Sequence, residues 1–160
     1  MIIAMNIKAI IFDWARTLYD VENNKEFEEA KDILEYCKKK NYRLALVSLV
    51  ENGESVVGTS LQTRNQQIDN SPLKIYFEKI LTTEGDKNLI LEEIVNYFKL
   101  PNEEVLIVDD RVVRGIKYGN KNNHPTVWLQ RGRFSNELPN SETGHPTFII
   151  KSLSELKKII

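Results

Sequence analysis

Short, unbroken apolar runs alternate with segments of helical period along this sequence, and that alternation admits few folds. The runs are Ala9-Ile10-Ile11-Phe12, Leu44-Ala45-Leu46-Val47, Ile80-Leu81-Thr82, Val105-Leu106-Ile107-Val108, Val127-Trp128-Leu129 and Phe148-Ile149-Ile150. A strand that is apolar at every position is buried on both faces, as happens in a parallel sheet with helices packed on each side. The pattern predicts an α/β fold, a doubly wound parallel sheet, in one domain spanning residues 1–160. A composition of 41% hydrophobic and 28% charged residues suits a single globular core of that kind.

The segments between the runs carry helix signals. Asn23, three residues ahead of Glu26, has the spacing of a helix start, with Phe27, Ala30, Ile33, Leu34 and Cys37 falling on one face. Ile90, Leu91, Ile94, Val95 and Phe98 form a second stripe that Pro101 stops. Ser152 with Glu155 makes a capping box for a terminal helix. Residues 51–72 are polar, contain Gly53 and Gly58, and show no clean period. The Gly-, Asn-, Ser- and Pro-containing stretch 131–144 is expected to be a surface excursion.

Several functions are disfavoured by bulk properties. The formal charge is −1 with both signs interspersed, so no footprint for nucleic acid or anionic lipid is expected. Cys37 is the sole cysteine, which precludes an intrachain disulfide and a Cys/His zinc site. The apolar opening Met1 to Met5 is interrupted by Asn6 and Lys8, unlike a signal peptide, and no stretch is long enough to span a bilayer. A cytoplasmic location is the expectation.

In an open parallel sheet the ligand site lies at the carboxyl ends of the strands. Four polar signals close or follow the apolar runs: Asp13 after the first, Ser48 after the second, Lys87 before the helix that follows the third, and Asp109-Asp110 after the fourth. Taken singly, each has an ordinary reading. A serine there is a turn residue, a lysine opening a helix is solvated, and an acidic pair before a helix is an N-terminal cap. Their joint order is what points to chemistry.

Ile10-Ile11-Phe12-Asp13-Trp14-Ala15-Arg16-Thr17-Leu18 resembles the first motif of the haloacid dehalogenase-like (HAD) hydrolases, an apolar strand followed by Asp-x-Asp-x-Thr. Ser48, Lys87 and Val108-Asp109-Asp110 are similar to the second, third and fourth motifs, in the family's order and across nearly the whole chain. The resemblance implies an HAD-type Rossmann-like sheet and a phosphatase-like hydrolase. Asp13 would be the nucleophile and Lys87 would hold phosphate and nucleophile together. Ser48 would donate a hydrogen bond to a phosphate oxygen, and Arg16 is long enough to reach one. Mg²⁺ would sit among Asp13, the backbone carbonyl of Ala15, Asp109 and Asp110. Such an arrangement makes chemical sense: a carboxylate can form an aspartyl-phosphate, and bringing phosphate to it requires positive charge.

Two positions depart from the family pattern. Ala15 stands where HAD phosphatases carry the aspartate that protonates the leaving oxygen and later activates water, a function that typically contributes about 10²–10⁴-fold. Phosphonoacetaldehyde hydrolases have a similar Asp-Trp-Ala-Gly-Thr motif, and haloacid dehalogenases also lack the second aspartate, but both rely on an inserted cap domain. Residues 14–47 here are consumed by a turn, one helix and one strand, so no cap is expected. Arg114 stands where the fourth motif usually has an Asp or Asn that tethers the lysine or a metal-bound water, and it is expected to point outward from a helix surface.

The leading expectation is a capless Mg²⁺-dependent HAD-type hydrolase acting on a phosphorylated small molecule or a bulky phosphorylated substrate. The opposing one is a catalytically weak HAD-fold module that binds phosphate or a protein partner. A flavodoxin-like response domain is disfavoured, because its acidic pair follows the first strand and the pair here follows the fourth. His124, His145, Trp128 and the tyrosines fit no constellation.

Overall fold

The computed structural model describes residues 5–51 and 60–160. Six parallel strands form the central sheet in the order β5-β4-β1-β6-β7-β8, with β1 at Ala9–Asp13, β4 at Arg43–Leu49, β5 at Lys79–Thr83, β6 at Val105–Asp109, β7 at Thr126–Leu129 and β8 at Phe148–Ile150. Every residue of β1 and β6 is buried, as the unbroken apolar runs require when helices cover both faces. The two faces feed separate cores. Ile10, Phe12, Leu44, Leu46 and Val108 pack with Ile33, Leu34 and Cys37 of α1 (Glu28–Lys39). Ile11, Ala45, Val47 and Ile107 pack with Leu91, Ile94 and Phe98 of α3 (Lys87–Phe98). Strand order reverses at β1, so the carboxyl ends of β1 and β6 lie side by side and open a crevice there.

One local expectation is corrected and two are refined. Asn23 does not start a helix. A two-residue hairpin, β2 (Tyr19–Asp20) against β3 (Lys25–Glu26), occupies that place, and the Asn23 amide donates to Asp20 Oδ2 at 2.7 Å within its turn. The helix begins at Glu28, behind an extended Phe27 that gives no side-chain cap. Residues 131–144 run over the surface as expected, all exposed or half-buried except Thr143, and carry a short helical turn, Gly132–Phe134. The capping box expected at Ser152 and Glu155 is present, Glu155 accepting from the Ser152 backbone N–H at 2.9 Å, and the helix that it starts, Leu153–Lys158, is 3₁₀.

Part of the aperiodic stretch 51–72 forms α2 (Leu61–Asn70), capped by Ser60. Its buried side chains are Arg64 and Ile68, so an apolar stripe never arises. Gly53 and Gly58 lie outside the described residues. After β6 the chain makes a π-helical turn, Val112–Ile116, that runs into α4, Lys117–Lys121.

Candidate active site

The turn after β1 is wound around one carbonyl: the Trp14 oxygen accepts from the backbone N–H groups of Thr17, Leu18 and Tyr19 at 3.2, 2.9 and 3.0 Å. That winding places Asp13 at the strand end with both carboxylate oxygens held, Oδ1 by Lys87 Nζ at 2.8 Å and Oδ2 by the Thr17 hydroxyl at 3.1 Å. Lys87 opens α3 but is 4% exposed, and it also donates to Asp109 Oδ2 at 2.6 Å. Burial pulls the lysine's pKa down, yet the adjoining charges of Asp109 and Asp13 outweigh it and leave the pKa raised. The lysine is a fixed cation.

Asp109 and Asp110 have different surroundings. Asp109 accepts from Lys87 Nζ, from the Arg111 backbone N–H at 2.9 Å and from the Gly115 backbone N–H at 3.0 Å. Gly115 belongs to the π-helical turn, and a Cβ there would stand 2.3 Å from Asp109 Oδ2. Asp109 thus ties the lysine to the turn, the tether that the resemblance places at 114. Asp110 is 2% exposed and Lys87 does not reach it by a hydrogen bond. Burial first, then the charges of Asp13 and Asp109, push its pKa well above the ordinary carboxylate value. Such a group calls for a cation.

Oxygen ligands of an octahedral Mg²⁺ at 2.0–2.1 Å are spaced about 3–4 Å apart. Carboxylate oxygens of Asp13, Asp109 and Asp110 lie within 4.8 Å of one another, all three buried. The Ala15 carbonyl accepts no backbone hydrogen bond among the described residues. These hard oxygen donors fit the ion, with Asp13, Asp110 and the Ala15 carbonyl the more available and Asp109 already engaged by three N–H groups.

Beside the carboxylates is a recess lined by Asp13, Ala15 and Asp110 and by Arg16, Arg64, Arg111 and Arg114. Its open space, about 10 Å³, holds roughly one water. Arg114 is not the outward surface residue expected. It lines this recess and pairs with Glu51. Burial lowers its pKa, Asp13 and Glu137 oppose that, and Arg16 adds to it. Ser48 does not line the recess. It lies inside β4, fully buried, because the strand runs on to Leu49, and its hydroxyl accepts from Arg64 Nη1 at 2.6 Å.

Sequence reasoning missed Arg64, Arg111, Glu51, Glu137 and Phe134. Arg111 stacks on Phe134, its guanidinium carbon 3.8 Å from the ring centre, and its Nε donates to Glu137 Oε2 at 2.9 Å. Arg16 approaches the same ring at 5.4 Å. Arg111 directly follows the acidic pair and Phe134 is a lone aromatic in a polar loop, both usable signals. Arg64 sits on a helix without a period and had none.

Residues 2–133 match the model of the PGP phosphatase family, described as mitochondrial PGP phosphatase. The chain belongs to this family, and with it to the HAD superfamily. An HAD phosphatase from Thermococcus onnurineus superposes with a TM-score of 0.74 at 13% identity, covering 96% of this chain and 97% of that one. An uncharacterised protein from Listeria monocytogenes serotype 4b gives 0.71 at 18% identity, with 95% and 96% covered. The HAD-hydrolase YfnB from Bacillus subtilis, bound to magnesium, gives 0.65 at 21% identity, with 85% of this chain matching 56% of that longer one. At these identities the structural likeness shows the fold. No curated protein sequence matches the chain. Among the described residues no helix is long and apolar enough to cross a membrane.

Proposed function

We propose that this HAD-type phosphatase domain is a capless, single-domain, Mg²⁺-dependent enzyme that works through an aspartyl-phosphate on Asp13 without the usual acid/base aspartate. The observation that carries the reading is the buried bridge of Lys87 between Asp13 and Asp109, with Asp110 buried beside it. Mg²⁺ held by Asp13, Asp110 and the Ala15 carbonyl would supply the positive charge that lets a phosphate dianion approach a carboxylate.

Thr17 and Lys87 fix the rotation of the Asp13 carboxylate, so an oxygen of Asp13 can bond to phosphorus as the bond from phosphorus to the leaving oxygen breaks. The electron pair departs with the leaving oxygen. Ala15 offers no proton there, so water must protonate that oxygen, and esters or acyl phosphates with good leaving groups are favoured. Water then displaces Asp13 from phosphorus and inorganic phosphate is released. Arg64 lines the recess with Ser48 behind it, so the serine acts by positioning the guanidinium. Arg16 and Arg111 offer further donors to anionic oxygens. Buried Cys37, its thiol pushed up to about 12 by burial, is unreactive and compatible with the cytoplasm.

Ala15 and the inward Arg114 favour the second reading, a module that binds a phosphorylated small molecule, a bulkier phosphorylated group or a protein partner without turning it over. Hydrolysis of p-nitrophenyl phosphate and acetyl phosphate, with and without Mg²⁺, separates the two. The enzyme reading expects Mg²⁺-dependent turnover abolished in Asp13→Asn and raised about 10²–10⁴-fold in Ala15→Asp. Silence of the wild type with both compounds, alongside activity gained in Ala15→Asp, would establish the binding module instead.

A further inference from the structure

The carboxylate cluster lies at the carboxyl ends of the strands. A second cleft lies at their amino ends, where β6 and β7 begin, with an open space of about 640 Å³, within the range of small-molecule sites. Pro101, Pro125 and Met5 give it apolar walls. Its loops are held in place: Asn102 Nδ2 donates to the Asn122 carbonyl at 2.8 Å, and the His124 backbone N–H donates to the Gly119 carbonyl at 2.9 Å. The His124 side chain, 4% exposed, forms part of the lining.

The imidazole presents an acceptor with nothing to accept from. The Val105 carbonyl, 3.0 Å from Nδ1, can only accept, so Nδ1 carries the proton and Nε2 presents its lone pair. That Nε2 is buried and has no hydrogen-bond partner among the described residues, which is costly for a polar atom. Tyr118 stacks on the ring, centres 5.9 Å apart, and fixes its plane. The Val105 and Asn102 carbonyls and the Glu103 charge all favour positive charge at this ring, yet burial outweighs them, lowers its pKa and keeps it neutral. The surroundings attract a cation that the histidine itself does not supply.

The charges of the lining point the same way. Glu104 is engaged within the fold, Oε1 by Asn6 Nδ2 and Oε2 by Lys8 Nζ, both at 3.1 Å. Glu103 is exposed and has no ion pair among the described residues. The remaining polar side chains of the lining, Asn123 and Thr147, are uncharged, and no lysine or arginine lines the cleft among the described residues.

We infer that this cleft binds an organic cation of the amidinium or ammonium class, its N–H donating to His124 Nε2, its charge facing Glu103 and its apolar body against Pro101, Pro125 and Met5. The inference is independent of what the carboxylates do at the other end of the sheet.

Benzamidine, benzamide and benzoate test it, being a cation, a neutral amide and an anion of nearly one shape. Calorimetry of the full chain with Mg²⁺ present should rank them in that order, benzamidine binding about 10- to 100-fold more tightly than benzoate, the scale of a hydrogen bond to a charged group. His124→Asn keeps an N–H where Nδ1 donates and removes Nε2, so benzamidine should weaken about tenfold or more. Glu103→Gln, at an exposed position, should weaken it about two- to fivefold. Thermal melts verify both folds; if His124→Asn does not fold, Glu103→Gln and the imidazole spectrum decide. The chain has two histidines, so a long-range ¹H–¹⁵N spectrum resolves them, and benzamidine should shift the Nε2 of His124 and not that of His145. Binding should persist in Asp13→Asn, which separates this cleft from the carboxylate cluster. No benzamidine binding, equal affinity for benzoate, an unmoved His124 Nε2, an affinity that survives in His124→Asn, or one lost in Asp13→Asn would each overturn the inference.

Discussion

Replacing Gly115 with alanine would set a methyl carbon against the tether of Lys87. An ideal Cβ at 115 lies 2.3 Å from Asp109 Oδ2, 2.9 Å from its Cβ and 3.0 Å from its Cγ. Because Asp109 Cβ itself is too close, rotating the carboxylate does not relieve the clash. Asp109 must move away from Lys87, from which it is 2.6 Å. Separating one partner from a buried ion pair costs about 3–5 kcal/mol, while alanine in a helical turn returns roughly 1 kcal/mol over glycine. The net loss is about 2–4 kcal/mol, equivalent to roughly 4–16 °C in Tm for a domain of this size. Urea unfolding of wild type, Gly115→Ala, Asp109→Ala and the double variant forms the appropriate cycle. In the Asp109→Ala background the methyl should cost about 1–3 kcal/mol less than in the wild type, because the ion pair and the carboxylate atoms at 2.3 and 3.0 Å are gone and only the 2.9 Å approach to the remaining Cβ persists. The full cost in both backgrounds, or none in either, would refute the reasoning.

Two further outcomes are expected. Arg114→Gln removes a cation from the recess that Asp110 lines, and at about 1 kcal/mol for partly screened charges it should tighten Mg²⁺ binding by up to roughly fivefold in calorimetry; unchanged or weaker binding would contradict the inward placement. His124 is 4% exposed and its Nδ1 donates to the Val105 carbonyl at 3.0 Å. Burial lowers its pKa, against the raising effect of the Val105 and Asn102 carbonyls, so the imidazole contributes stability that is intact above the unfolded value of about 6.5 and is lost as pH falls below it. The Tm of wild type should therefore drop more between pH 7.5 and 5 than that of His124→Gln, and parallel curves would show that the buried imidazole does not control it.

The sheet was legible because the four strands inside its two edges are buried on both faces, and burial on both faces writes a run dominated by Ile, Val, Leu and Ala. The carboxylates and the lysine were legible for a related reason: they are the first charged groups after such runs. The surrounding cations were not. Arg114 was assigned to the outer face because a helical turn was assumed, whereas Val112–Ile116 is π-helical, which changes the direction of each side chain along it. Ser48 was read as a strand end because strand length was judged from the apolar run alone, and β4 continues past it to Leu49. Arg64 and Phe134 come from segments whose placement depends on tertiary contacts, an ion pair from Arg111 to Glu137 and a hydrogen bond to Ser48, which leave no local period to read.

The chain has two tryptophans, and both adjoin the carboxylates. Trp14 lies between Asp13 and Ala15, stacked on Tyr19 with ring centres 5.1 Å apart, and its indole N–H has no partner among the described residues. Trp128 donates its indole N–H to the backbone carbonyl of Asp110 at 3.0 Å. One indole is covalently next to the nucleophile and the other is hydrogen-bonded to the backbone of the most electrically strained acid. Neutralising charge at either carboxylate alters the field across a fully buried ring, so the molecule carries its own optical gauge of what occupies the crevice, readable in unlabelled protein by the colour of its emission.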